Sequence, residues 1–132
     1  MDAQEERRLL ELAAKAAGLE FHGEQDTYTG GRRIKQEPVP GLRPTHYCAW
    51  NPHDDDGDIR RLEVALFMVV EIEQVTEEKV CVFAMSTKPE GQPVKVIVDA
   101  SEDIAAVVRL AVLRAAAAIG EAMLAAERAP AD

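Results

Sequence analysis

Three stretches with strand character follow one another in the second half of the chain, and they constrain the fold most. They are residues 70–74, 80–85 and 94–98, where apolar and polar positions alternate or β-branched and aromatic residues cluster. The connections between them are shorter than the crossover that parallel strands require. The sequence therefore predicts an antiparallel meander.

Helical periodicity surrounds this meander. Apolar residues at spacings of three and four predict helices near residues 3–17, 56–68 and 102–126. Gly18 is a natural stop for the first helix, and Ser101 is a candidate N-cap for the last. We therefore expect an α+β domain, with an antiparallel sheet of three to five strands packed against about three helices.

The last predicted helix is rich in alanine and is apolar around much of its circumference. One sheet face does not need that much apolar surface, so a second contact is expected. A homodimer through this helix is one candidate, and burial inside its own domain is the other. Arg109, Arg114 and Glu121 interrupt the apolar run and argue against a membrane span.

The chain length of 132 residues favours one domain over residues 1–132. Glycines and prolines interrupt residues 22–45, which predicts an irregular loop region. Within it Gly30-Gly31 could turn a short hairpin between residues 27–29 and 32–34, and a candidate strand follows at 45–50. Residues 129–132 are expected to form a disordered tail. The two cysteines form no CxxC pair, which favours a reducing compartment, the host cell cytoplasm.

Negative charge is concentrated in the middle of the chain. The net charge is -9, and residues 46–102 alone hold 5 basic and 12 acidic residues. An acidic surface repels phosphates, so direct nucleic-acid binding is disfavoured and a basic protein partner is favoured. The alternative is charge that serves solubility alone.

Four aspartates, Asp54, Asp55, Asp56 and Asp58, follow the only tryptophan, Trp50. They can be interpreted as a metal loop, an acidic binding surface or a helix cap. A calcium loop would put Pro52 at its first ligand position, where no side-chain oxygen exists. A cap needs fewest assumptions: Asp55 or Asp56 caps the next helix, and the other aspartates favour its positive end.

Two other chemistries remain as alternatives. His46, Cys48 and His53 are zinc-ligand types, completed by Asp54 or Cys81, but their spacing is unusual for zinc. A metal-dependent enzyme would use the same histidines and the acids. Because no catalytic signature is present, we assign no catalytic residue, metal ligand or cofactor.

A basic cluster offers a small-ligand alternative. Two glycines precede it, so backbone N–H groups could approach an anion. A nucleotide-binding sponge would use the side chains of Tyr28, Arg32, Arg33 and Lys35.

The sequence also resembles a known family. Its stretch YCAWNPHDDDGDIRRLEVAL resembles the motif WNPLxDDGDALRLAVKL of the phage ABA sandwich domain family, with His53 in place of leucine. The C-terminal VVRLAVLRAAAAIGEAM resembles that family's alanine-rich last helix, and AAKAAGLEF near the start is compatible with it. The loop 23–44 has no counterpart. The resemblance implies helices packed on a sheet and a phage or prophage origin, and it implies no catalytic mechanism.

These observations together predict a non-enzymatic phage or prophage accessory binding protein. We expect an antagonist of a host defence system, similar in role to an anti-CRISPR protein, that docks an acidic surface on a basic host or phage protein. The predicted contact residues are the aspartates of the acidic run and four later glutamates: Asp54, Asp55, Asp56, Asp58, Glu71, Glu73, Glu77 and Glu78.

Overall fold

The computed structural model describes residues 1–25, 32–35, 47–88 and 91–129. Helices and strands in this part of the chain confirm the predicted α+β class. In chain order they are α1 (Ala3–Ala17), β1 (Phe21–Gln25), β2 (Arg32–Lys35), β3 (Tyr47–Trp50), α2 (Asp56–Ala65), β4 (Met68–Gln74), β5 (Lys79–Ser86), β6 (Val94–Asp99) and α3 (Ile104–Arg128).

The described strands form two antiparallel sheets of three strands each, with orders β1-β2-β3 and β4-β5-β6. The second sheet is the predicted meander. The first sheet corrects the prediction in part. β2 contains the strand expected at residues 32–34, but it pairs with β1, most of which lies in the segment 22–45 that was expected to be irregular. On its other side β2 pairs with β3 across a long sequence separation, which local glycine and proline content does not reveal.

The hydrophobic core lies between the second sheet and the helices. Val82 and Ala84 on β5 are fully buried on the face of the sheet that packs against α3. On another side of α3 lies α1, which runs in the same direction, since Leu12 lies at Gly120 and Lys15 pairs with Glu127. The second contact expected for the alanine-rich helix is therefore α1 of the same chain. The homodimer through this helix stays a prediction.

Gly120 permits the close approach of these two helices. A Cβ added at this position would overlap the backbone carbonyl oxygen of Leu12. The absence of a side chain at this one position therefore sets the distance between α1 and α3.

Helix ends follow capping chemistry. Asp2 caps α1 by accepting from the Glu5 N–H at 2.8 Å, and Gly18 ends it at φ 74°, as predicted. The N-cap of α3 is Asp103, whose carboxylate accepts from the Ala106 N–H at 3.2 Å, rather than Ser101. Aspartate caps a helix as well as serine does, so a start at Asp103 needs no further explanation.

The second helix ends at Ala65, earlier than the predicted 68. Phe67 has φ 49°, in the left-handed region, and reverses the chain into β4. Of the predicted tail at 129–132, residues 130–132 lie outside the described residues. Among the helices that the structure describes, none is long and apolar enough to cross a membrane.

Candidate functional site

The acidic stretch begins at a buried anchor. Trp50 at the end of β3 is buried and meets Phe21 edge to face, with ring centroids 6.3 Å apart and an interplanar angle of 69°. Pro52 is also fully buried. The N–H groups of Asp54 and Asp55 both donate to the carbonyl oxygen of Asn51, at 3.1 and 2.8 Å. The sequence WNPHDD is thus a tight turn from a strand into α2.

Two of the aspartates hold the start of α2. Asp55 is its N-cap and accepts from the Asp58 N–H at 2.8 Å. The Asp58 carboxylate accepts from the Asn51 N–H at 2.9 Å and from Arg61 Nη2 at 2.6 Å. These bonds satisfy N–H groups at the turn and at the helix start, which confirms the helix-cap interpretation.

A third aspartate ties this junction to α3. Asp56 pairs with Arg109 at 2.7 Å, and the Arg109 Nε donates to the His53 carbonyl oxygen at 3.0 Å. The Arg109 side chain is only 13% exposed. The sequence analysis did not predict this clamp between Asp56 and Arg109. The one feature that could have indicated it is that Arg109 is a charged residue within the apolar run of α3.

The fourth aspartate lies beside the histidine of the turn. The His53 Nε2 lies 3.1 Å from the Asp54 carboxylate and 3.5 Å from the carboxylate of Glu6 on α1. Asn51 Nδ2 also donates to Asp54 at 3.4 Å. Each of the four aspartates therefore has a polar partner inside the chain.

Two buried polar atoms in the same junction make no hydrogen bond with the described residues. They are Asn51 Oδ1 and His53 Nδ1. Buried polar atoms normally find a partner, so these two are exceptions among the described residues.

Metal-ligand residues are not grouped in the described part of the chain. Within residues 1–25, 32–35, 47–88 and 91–129, no set of three or more His, Cys, Asp or Glu side chains is placed to hold a metal ion. His46 lies outside the described residues, and so does the side chain of Cys48. Cys81 is a buried free thiol. The zinc and metal-enzyme alternatives stay predictions.

The basic cluster is only partly described. Tyr28 lies outside the described residues, and for Arg32, Arg33 and Lys35 only the backbone is described. That backbone forms β2, the middle strand of the first sheet, paired with β1 on one side and β3 on the other. Gly30 and Gly31, whose N–H groups the sponge alternative uses, lie outside the described residues, so this alternative stays a prediction.

The later glutamates lie on a different surface. Glu71 pairs in register with Phe83, and Glu73 with Cys81, on the face of the second sheet opposite to Val82 and Ala84. We call this the outer face. Glu77 and Glu78 lie on the turn between β4 and β5. The side chains of Glu71, Glu73, Glu77 and Glu78 are all exposed, and none forms an ion pair with a described residue.

The turn that carries Glu77 and Glu78 is well ordered by its own hydrogen bonds. The Thr76 hydroxyl accepts from the N–H groups of Glu78 at 3.2 Å and Lys79 at 3.1 Å. Lys79 itself pairs with Asp99 at 2.7 Å. The nearby lysine is therefore engaged elsewhere. We call Glu73, Glu77 and Glu78 the acidic turn.

The two acidic groups lie on different elements. The aspartate junction is tied to α3 through Arg109, whereas Glu71 and Glu73 lie on the outer face of the second sheet. Glu77 and Glu78 lie on the β4–β5 turn, where the Glu78 carbonyl oxygen accepts from the Ala100 N–H at 2.8 Å. One contact surface made of all eight acids stays a prediction.

Comparison with known proteins identifies no relative of this chain. No protein-family model, curated protein or solved structure matches this chain.

Proposed function

We propose that this chain is a non-enzymatic accessory binding protein of a phage or prophage, and that it docks the acidic turn on a basic protein partner. The supporting observation is that Glu73, Glu77 and Glu78 are exposed, form no ion pair with a described residue and lie near Lys79, which already pairs with Asp99. A partner's lysine or arginine would meet carboxylates that need not first break an ion pair with a described residue.

The aspartate junction is a weaker contact candidate for the same reason. A partner that took Asp56 or Asp58 would compete with Arg109 and Arg61, at 2.7 and 2.6 Å. Taking Asp55 would compete with the cap of α2. We therefore assign the partner contact to the acidic turn and a structural role to the junction.

Charge also selects the partner class. The chain carries a net charge of -9, and phosphate groups would be repelled by it. A basic protein surface is attracted, with the largest effect on the association rate. Proteins that handle nucleic acids present such surfaces, which makes a host defence complex of that kind the proposed target, in the host cell cytoplasm.

The phage or prophage origin rests on the sequence resemblance of the WNP and DDGD elements. In this chain these elements form a strand-to-helix junction. Residues that hold a junction together identify a fold and do not identify an activity. A family signature of that kind is compatible with binding partners that differ from one member to another.

The first experiment is affinity capture of partners from a bacterial lysate, with identification by quantitative mass spectrometry. The wild-type chain is compared with E73Q/E77Q/E78Q, which removes the three charges of the acidic turn. The matched control is E5Q/E11Q/E121Q, which removes three exposed charges on α1 and α3.

We expect a basic protein to be enriched by the wild type and by the control, and to be lost with the acidic-turn variant. Enrichment that is equal for all three chains would contradict the proposed contact. Enrichment of acidic proteins alone would contradict the proposed partner class.

A further inference from the structure

β4 is an edge strand of the second sheet. Its neighbour on one side is β5, and among the described residues no strand lies on its other side. An edge strand presents a row of backbone N–H and C=O groups that a further strand can bind. We call this side of β4 the open edge.

Two hydrogen bonds fix which residues of β4 direct their backbone groups to the open edge. The Val75 N–H donates to the Lys79 carbonyl oxygen at 2.9 Å, and the Phe67 carbonyl oxygen accepts from the Thr87 N–H at 3.1 Å. Hydrogen bonding alternates along an antiparallel pair, and the register along β4 is unbroken, so the odd-numbered residues bond to β5. The N–H and C=O groups of the even-numbered residues face the open edge: Met68, Val70, Ile72 and Gln74.

The apolar side chains at the open edge are only partly covered. Ile72 is 58% exposed, although Val82, its cross-strand neighbour on the same face of the sheet, is fully buried. Val70 is half-buried beside Ala84. An added strand with apolar residues opposite Val70 and Ile72 would extend the buried face of the sheet and remove Ile72 from water.

The outer face of β4 selects the charge of an added strand. Glu71 and Glu73 are exposed, and their cross-strand neighbours on β5 are the uncharged Phe83 and Cys81. Neither glutamate forms an ion pair with a described residue. Opposite charges on neighbouring strands stabilise their pairing, so lysine or arginine is favoured opposite Glu71 and Glu73.

The other edge of the sheet lacks this pattern. On the outer face of β6, Lys95 is a base and Asp99 is an acid that already pairs with Lys79 at 2.7 Å. The side chains on the opposite face of β6 are half-buried valines. This strand therefore presents neither one sign of charge nor an exposed apolar residue on its buried face.

We propose that β4 binds an extended segment of the basic partner, in which apolar residues alternate with lysine or arginine, as an added antiparallel strand. Antiparallel order continues the arrangement of the second sheet. Each residue opposite Val70 or Ile72 exchanges two backbone hydrogen bonds with β4 and places its side chain beside Ile72 on the buried face. The basic residues lie opposite Glu71 and Glu73.

The same acids exclude a second copy of this chain as the added strand. Two β4 strands paired antiparallel through their middle residues would bring Glu71 or Glu73 opposite the same acids of the other copy. Like charges directly opposite each other disfavour the pairing.

This inference rests on the proposed function, which supplies the basic partner, and it adds the way in which that partner is bound. β4 leads directly into the turn that carries Glu77 and Glu78. Basic residues at one end of the added strand therefore come near these two carboxylates.

The test measures the binding of synthetic peptides to the full chain by fluorescence anisotropy. The first peptide is capped and labelled, and it alternates valine with lysine over seven residues, the length of β4. Two further peptides carry N-methyl groups, on the valines or on the lysines, and a fourth has glutamate in place of lysine. Because N-methylation removes an N–H, it breaks strand pairing only at residues whose N–H groups face β4.

Variants of the chain complement these probes. Ile72→Pro removes an N–H that faces the open edge and none that bonds to β5, so the sheet itself can still form. E71Q/E73Q removes two charges of the edge strand. E11Q/E121Q is its matched control on the exposed surfaces of α1 and α3. Circular dichroism melts check that each variant folds.

We expect the valine–lysine peptide and its lysine-methylated form to bind, and the valine-methylated and glutamate forms to bind at least about tenfold more weakly. E71Q/E73Q weakens binding of the valine–lysine peptide about fivefold, whereas E11Q/E121Q leaves it unchanged. Ile72→Pro also weakens it. No binding of the first peptide, equal binding of the two methylated peptides, or a loss with the lysine-methylated form alone would each overturn the proposal.

Failure of this inference and failure of the proposed function give different results. If the peptides do not bind while E73Q/E77Q/E78Q still loses the captured partner, strand addition is wrong and the contact of the acidic turn stands. If the peptides bind as expected while capture is equal for all chains, the contact of the acidic turn is wrong and the open edge stands as a peptide site.

Discussion

Neighbouring aspartates at the junction between β3 and α2 differ in role because their backbone positions differ. Asp55 lies one residue before the helix and accepts from an N–H that the helix cannot satisfy itself. Asp56 lies one residue later and points to Arg109. A shift of one residue changes a cap into a tether between two helices.

The cap gives the first prediction. Asp55→Ala removes the acceptor for the Asp58 N–H and should lower the free energy of unfolding by about 1 kcal/mol. Asp55→Asn keeps a good capping side chain and should stay within about 0.5 kcal/mol of the wild type. Urea denaturation measures both. Equal losses in the two variants would mean that charge, rather than the hydrogen bond, is what matters.

The contacts of Arg109 with Asp56 and His53 give the second prediction. Arg109→Ala removes a charged hydrogen bond to the His53 carbonyl and the pair with Asp56, and should cost about 1–2 kcal/mol. The control is Arg114→Ala on the exposed side of the same helix, expected within about 0.5 kcal/mol of wild type. Thermal unfolding of both variants checks this. A loss at Arg114 as large as that at Arg109 would contradict the clamp.

The same residues show what sequence can and cannot predict at a site. The Asp55 cap was predictable because its partner is three residues away and the signal is local. The Arg109 tether joins Arg109 to Asp56, 53 positions apart. The local sequence around either residue gives no indication of its partner. Long-range polar partners of this kind depend on the packing of α3, which exists only in the folded chain.

At the scale of elements, the packing of α1 on α3 depends on the missing side chain of Gly120. Glycine inside a helix is unfavourable by about 1 kcal/mol relative to alanine. Here the close approach of the Leu12 backbone outweighs that cost, because an added Cβ has no room. An alanine-rich helix with one glycine at the contact is the arrangement that allows two backbones to approach closely.

The sign of one substitution tests this packing. If propensity alone decided, Gly120→Ala would stabilise the protein by about 1 kcal/mol. The overlap with the Leu12 carbonyl predicts instead a loss of about 1–3 kcal/mol, as for other overpacked core positions. Chemical denaturation gives the sign directly. A stabilised variant would show that α1 moves away at little cost.

The strands were predictable to different degrees. Apolar alternation and short turns identified β4, β5 and β6, because the neighbours in that sheet are also neighbours in sequence. The short strand expected at residues 32–34 lies in β2, whereas β1 was missed because its sequence, FHGEQ, has no regular apolar alternation. The early end of α2 was also missed, since nothing local announces the left-handed Phe67.

At the scale of the whole molecule, the acidic residues fall into two groups. Those of the aspartate junction join α2 to β3 and α3, and they are matched by Arg61 and Arg109. Those of the acidic turn form no ion pair with a described residue. Net charge by itself could not separate the two groups, because every carboxylate counts the same in the sum.

Salt provides a prediction at this scale. If the acidic turn makes the contact, raising the NaCl concentration from 50 to 300 mM should weaken partner binding, mainly by slowing association. The E73Q/E77Q/E78Q chain should show a smaller salt dependence than the wild type. Surface plasmon resonance measures both rate constants. An equal salt dependence in the two chains would place the charged contact elsewhere.

The most direct measurement compares the two acidic groups in one titration against the captured partner. E73Q/E77Q/E78Q and D54N/D55N/D56N change the net charge equally, and asparagine preserves the cap of α2. We expect the first variant to lose about tenfold in affinity and the second to stay within about twofold. A large loss with D54N/D55N/D56N and none with E73Q/E77Q/E78Q would contradict the assignment of the contact to the acidic turn.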